Sequence, residues 1–135
     1  RGIKISEIRE KETSHYSTLI TVRVTASGGT SEVQGALFGE EGRIVRINRF
    51  RVDVDPHARI LICPHINRPG VIGTIGSIMG EAGINISSMQ VGKSDRKGMT
   101  IMVLTIDHDI SDDVLARVLA VDGIFDAKLV NFDAI

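Results

Sequence analysis

A change of apolar period constrains this chain more than any other feature. Ile60-Leu61-Ile62-Cys63 is a short unbroken apolar run, and further on apolar residues recur at Val71, Ile72, Ile75, Ile78, Met79 and Ala82. The run, opened by Arg59, has the length and branching of a strand buried on both faces. The second spacing lays one stripe along a helix of about three to four turns. Between them Pro64-His65-Ile66-Asn67-Arg68-Pro69-Gly70 punctuates the chain. Pro69 is placed for the first helical turn, and Gly83 stands where a helix C-cap falls.

The alternation continues. Residues 84–91 and 99–106 read as strands, joined as a hairpin through the polar stretch Lys93-Ser94-Asp95-Arg96-Lys97-Gly98. Ser111 is a predicted N-cap, with Asp112 and Asp113 in the first turn and Ile110 set to staple onto Leu115. Val114, Leu115, Val118 and Leu119 form a second helical stripe, and residues 124–130 read as a last strand. Strand, helix, strand, strand, helix, strand is the split βαβ order of ferredoxin-like domains. Its sheet packs both helices on one face and leaves the other in need of cover or a partner.

Residues 1–55 are strand-like instead. Leu19 to Thr25 alternates, Ser27-Gly28-Gly29-Thr30 supplies the positive-φ positions of a tight turn, and Glu32 to Phe38 returns as a hairpin. A turn at Gly39-Glu40-Glu41-Gly42 leads to residues 43–47, after which Phe50, Val52 and Val54 alternate with Arg49, Arg51 and Asp53. Residues 3–8 read as one more strand. The expected division is 1–55 and 56–135, near Val54-Asp55-Pro56, in an α+β chain that is β-rich first and βαββαβ second. Nine basic and eight acidic residues precede it and seven and nine follow, so neither part is a charged tail.

Composition narrows function mainly by exclusion. A net charge of −1, no Trp and one Tyr provide neither the electrostatic footprint nor the stacking platforms of a nucleic-acid binder. No apolar stretch approaches the roughly 20 residues of a membrane helix, and Arg1-Gly2-Ile3-Lys4 is no signal-peptide start. No membrane partner is expected. The single cysteine, Cys63, and four histidines offer no metal spacing, and a reducing cytoplasm is the expected compartment. Within its apolar run Cys63 reads as a core residue. No phosphate-cradling, dinucleotide-binding, H-E-x-x-H or G-x-S-x-G motif is present, so no catalytic residues are expected. Gly70, Gly73, Gly76 and Gly80 recur along the first helix, which reads as close helix packing rather than phosphate binding.

The chemically interesting feature is the loop from His65 to Gly70. It follows a strand and opens a helix, so unpaired N–H groups around Gly70 and Val71 suit an anion such as a carboxylate, with His65 and Asn67 as added donors and acceptors. The plainer alternative is a turn in which Asn67 satisfies local backbone and His65 is exposed. Asn85, at the start of a strand between isoleucines, either caps or turns the chain locally or meets a ligand near that loop across a dimer axis. Arg43, Arg46, Arg49 and Arg51 read as a solvated face or an anion site. Arg9 and Lys11 near His15 carry the same two readings.

Residues 58–135 resemble an ACT domain, the small amino-acid-sensing module, through Pro64-His65-Ile66-Asn67-Arg68-Pro69-Gly70-Val71-Ile72-Gly73 and Gly83-Ile84-Asn85-Ile86. Gly35-Ala36-Leu37-Phe38-Gly39, residues 43–48 and Arg51-Val52-Asp53 are similar to the end of the intervening domain of the long-form D-3-phosphoglycerate dehydrogenase family. The resemblance implies a regulatory region rather than an enzyme in itself, belonging to an NAD-dependent oxidoreductase of serine biosynthesis, with no cofactor in these residues. It further implies feedback by L-serine or another small amino acid at an interface of a homodimer or homotetramer. His65, Asn67, Gly70 and Val71 of one copy and Asn85 of the other are then the ligand-binding residues. Arg9 is the candidate for the intervening domain's anion site. Two alternatives stay open: the regulatory region of an iron–sulfur L-serine dehydratase, and a free-standing amino-acid-binding module.

Overall fold

A computed structural model describes residues 2–11, 18–93 and 98–132. The chain divides into two compact units, Arg1–Pro56 and His57–Ile135. No helix among the described residues is long and apolar enough to cross a membrane.

The first unit is an antiparallel meander of β1 (Lys4–Lys11), β2 (Thr18–Ala26), β3 (Gly29–Phe38), β4 (Glu41–Ile47) and β5 (Phe50–Val54), in that spatial order. Short turns force three of the sequential pairings. Positive φ falls at Gly29, Gly39 and Asn48 in these turns. Asn48 tolerates it because its N–H donates to the Glu32 carbonyl at 2.7 Å while its Oδ1 accepts from the Glu32 N–H at 2.9 Å. On β5, Phe50, Val52 and Val54 are buried and Arg51 and Asp53 exposed, the period-two pattern of a half-covered strand. Irregularities at Gln34/Gly35 and at Ile44/Arg46 shift the register. They leave Arg46 directly opposite Arg51, while Arg43 donates to Asp53 at 2.6 Å.

The second unit comprises β6 (Arg59–Ile66), α1 (Val71–Glu81), β7 (Ile86–Lys93), β8 (Met99–Ile106), α2 (Asp112–Leu119) and β9 (Lys128–Asn131). Its sheet has the order β7-β8-β6-β9 with every pairing antiparallel. This is the α+β arrangement of the ferredoxin-like order. Ile75, Ile78 and Met79 of α1 and Val114 and Val118 of α2 share one core with Leu61, Cys63, Met102, Leu104 and Ile106 of the sheet. The alternating residues Ile60, Ile101 and Val103, on the other face, are buried as well. The Ser111 hydroxyl accepts from the Val114 N–H, with Asp112 and Asp113 in the dipole-favoured first turn.

Several boundaries differ from the sequence reading, each for a local reason. Strand β6 runs through Pro64 to Ile66 instead of ending before it. The Pro64 carbonyl accepts from the Phe125 N–H at 2.9 Å, so its ring nitrogen faces an edge that β9 has not yet reached and no β6–β8 bond is lost. Pro69 lies outside α1, because the chain needs a left-handed residue before the helix and Gly70, with φ 93°, is the N-cap. At the other end Gly83 adopts φ 70°. There Ile84 N–H donates to Met79 and Gly83 N–H to Gly80, the paired bonds of a Schellman stop. That stop holds Ile84 and Asn85 outside the ladder, so β7 starts at Ile86. Residues 124–127 pair only through an Ile124–His65 bridge, and the last strand begins at Lys128. Ile72 and Leu119 fall off the buried lines of their helices, at 37% and 44% exposure. Of the hairpin between β7 and β8, residues 94–97 lie outside the described residues. The glycine pattern on α1 is also corrected. A Cβ at Gly70, Gly73, Gly76 or Gly80 would meet nothing within 4 Å, so these glycines serve no close packing among the described residues.

Candidate functional site

The β6–α1 junction is built outward from His65. Alternation along β6 puts His65 on the same face as Leu61 and Cys63, opposite Thr100 of β8, and it is 2% exposed. Its Nδ1 lies 2.8 Å from the Ile66 carbonyl oxygen. A carbonyl only accepts, so Nδ1 carries the proton, and in the neutral ring Nε2 presents a lone pair. That Nε2 is buried with no hydrogen-bond partner among the described residues. An unsatisfied buried acceptor costs about 1–3 kcal/mol, which a ligand donor would recover.

The Ile66 carbonyl also accepts from the Arg68 N–H at 2.9 Å, closing a three-residue turn around Asn67. The Asn67 N–H is held by the Gly98 carbonyl at 3.0 Å. Its side chain is exposed and makes no hydrogen bond among the described residues. Gly70 then opens α1, its carbonyl accepting both the N–H and the hydroxyl of Thr74 at 3.0 Å. The helix start has no side-chain cap and no acidic residue in its first turn, so neither a cap nor a first-turn carboxylate offsets its positive end. Val71 turns its side chain into the core. A hollow of about 480 Å³ borders this start, lined by Arg68, Gly70, Val71, Thr74, Arg117 and Asp122 among others, with neither His65 nor Asn67 in its lining.

One supporting element was not legible as part of the site. The turn after α2 clamps the loop: Ile66 N–H donates to the Gly123 carbonyl at 2.8 Å, and Arg68 donates to both the carbonyl and carboxylate of Asp122. Gly123 has φ 97°, and a Cβ there would sit 2.5 Å from the Ile66 side chain. Asp122-Gly123 is a turn dipeptide, the only local signal for this contact in the sequence.

Asn85 is not brought to His65. It precedes β7, whose first residue, Ile86, pairs with Ile106, whereas His65 pairs with Thr100 at the opposite end of β8. At the strand rise, those levels are about 20 Å apart. Arg9 is exposed on the edge strand β1 and already donates to Glu7 at 2.6 Å. His15 and the Lys11 side chain lie outside the described residues. Arg43 is paired with Asp53. Among the described residues no group of His, Cys, Asp and Glu is placed to hold a metal. A second hollow, about 160 Å³ in the first unit, is lined by Ile20, Ala36, Leu37, Ile44 and Pro56 among others. It offers little to orient a polar ligand.

The fold and the β6–α1 loop define an ACT domain, and the ACT domain family model matches residues 59–123. Residues 1–48 match the D-3-phosphoglycerate dehydrogenase intervening domain. Relatives named D-3-phosphoglycerate dehydrogenase include proteins of Archaeoglobus fulgidus (37% identical), Synechocystis sp. (36%) and Bacillus subtilis (37%), each alignment covering 97% of this chain. The chain spans about a quarter of the length of these curated relatives, at their C-terminal end. It belongs to the D-3-phosphoglycerate dehydrogenase family at its intervening and ACT domains.

Proposed function

We propose that this chain is the effector-sensing region of a D-3-phosphoglycerate dehydrogenase, binding L-serine between two ACT domains to give feedback inhibition of serine biosynthesis. The observation that carries the reading is His65: a buried imidazole whose Nδ1 is committed to Ile66 and whose Nε2 is an unpartnered acceptor. An amino acid supplies what is missing there, a hydroxyl or ammonium donor for Nε2 and a carboxylate for the uncapped start of α1. Asn67, two residues on in the same loop, makes no side-chain hydrogen bond among the described residues and is assigned to the site with them.

The second copy supplies Asn85. Both β6 and β7 run antiparallel to β8, so they are parallel to each other and place His65 and Asn85 at opposite ends of the sheet. β7 is an edge strand. A two-fold axis perpendicular to that edge strand reverses the partner's strand direction and carries the partner's Asn85 to the His65 end. The open glycine flank of α1 leaves room for a close approach by a neighbouring helix. A homodimer, or a tetramer built from it, is thus part of the proposal, as is a cytoplasmic setting.

We assign no NAD site to these residues. The β6–α1 junction lies in an antiparallel sheet and lacks the spaced glycines G-x-G-x-x-G of a dinucleotide turn. The parent enzyme's cofactor is assigned to residues beyond this chain.

Titration calorimetry with L-serine tests the reading, with D-serine as control. Saturable binding of the L-enantiomer, reduced in His65→Ala and in Asn67→Ala by more than the roughly 0.5–1.5 kcal/mol of one net hydrogen bond, is the expected result. No binding, or affinity unchanged in both variants, rejects the site.

A further inference from the structure

Asn85 has an unusual setting for an exposed residue. It lies between the Schellman stop of α1 and the first ladder residue of β7, so neither helix nor sheet satisfies its main chain. Both main-chain groups go to one residue instead. The Asn85 N–H donates to Asp107 Oδ1 at 2.9 Å, and the Asp107 N–H donates back to the Asn85 carbonyl at 3.3 Å. The Asn85 side-chain amide, by contrast, is exposed and makes no hydrogen bond among the described residues.

Asp107 is itself fixed. His108 Nδ1 lies 2.8 Å from the same Oδ1, and Arg59 of β6 donates to the Asp107 carbonyl at 3.2 Å. Arg59 also faces Asp109 at 2.8 Å. The His108 contact first, and the Asn85 N–H among the smaller causes, hold the Asp107 carboxyl below its ordinary value. It is the ionised carboxylate that grips Asn85 near neutral pH.

We propose that Asp107 is the positioning residue of the effector site, clasping the Asn85 main chain so that its free amide is presented to the bound amino acid across the dimer axis. This rests on the reading of Asn85 as the partner's contribution to the site. The clasp fixes the main chain of an asparagine that lies outside any ladder. Ordering the amide in advance spares the effector that cost on binding.

The test uses the full chain with Asp107→Ala, Asp107→Asn, Asn85→Ala and the Asn85→Ala/Asp107→Ala double variant. Asp107→Ala should weaken L-serine binding roughly tenfold, as expected for losing one hydrogen bond to a charged group. Asp107→Asn keeps an oxygen for the Asn85 N–H and should restore most of that loss. In the Asn85→Ala background, Asp107→Ala should add nothing, because the carboxylate acts only through Asn85. Amide hydrogen exchange without effector supplies a second readout. Asn85 should exchange faster in Asp107→Ala while Leu61 and Leu104 stay protected, which also shows the variant folded. Serine binding by the unaltered chain that is indifferent to Asp107→Ala overturns the proposal alone, as does an additive effect in the double variant. Absence of serine binding by the unaltered chain overturns the effector reading and this proposal with it.

Discussion

Cys63 and His65 sit two residues apart on one face of β6, both almost fully buried, and burial has opposite consequences for them. The Cys63 thiol, in its apolar surroundings and secondarily beside Asp126, is pushed up to about 12 from 9.0. It is an inert core group. Iodoacetamide at pH 8 should leave the native thiol unmodified and alkylate it fully in urea; rapid native labelling would contradict the packing. The linkage has a definite sign. A raised folded value means full stability below about 9 and a decline as pH rises toward about 12. His65 is buried by the same alternation, yet keeps one ring nitrogen unsatisfied. The core role of Cys63 is legible in its apolar run. The burial of His65 is not, because Pro64 reads as a strand terminator and only the Phe125 contact shows why the strand continues.

Among the elements, the apolar faces of the helices and the caps at Gly83 and Ser111 are plain in the sequence, whereas the Gly70 cap, bulges and exact starts are not. Gly83 is recognisable as a stop, but the resulting displacement of β7 to Ile86 depends on bonds back to Met79 and Gly80. Likewise the arginines of β4 and β5 read as a charged face, but only the register places Arg46 opposite Arg51 with no carboxylate bonded to either among the described residues. Like charges directly opposite destabilise a sheet, and opposite ones contribute about 0.2–1 kcal/mol per pair. Arg51→Glu should therefore raise stability by at least that amount, read as a higher urea midpoint with unchanged slope. A lower midpoint would mean that Arg51 is engaged favourably where it stands.

For the whole molecule, the glycines of α1 separate what the chain needs alone from what it needs in company. A Cβ at Gly80 meets nothing within 4 Å, and alanine is favoured over glycine in a helix interior by about 0.8–1.0 kcal/mol. Gly80→Ala should stabilise the isolated chain by about that amount. If a second copy's helix uses this flank, the same change should weaken self-association. Sedimentation velocity across micromolar concentrations should show both the association of the parent chain and its loss in Gly80→Ala. Equal association of the two would remove the glycine flank from the interface, and a monomer at every concentration would remove the dimer.

By itself the sequence determined the class of fold, the order of strand and helix in residues 57–135, and the loop proposed as the effector site. These follow from local rules: apolar period, capping residues and glycine at positions that require left-handed backbone. The tertiary structure alone decided that His65 is buried with Nε2 unpaired, that residues 121–125 brace the loop, and that Asn85 lies at the far end of the sheet in the grip of Asp107. Each of those depends on which strands neighbour one another and in what register. Residues such as Ile66 and Gly123, or Asn85 and Asp107, meet only when the sheet closes, and no local pattern in the chain encodes that meeting.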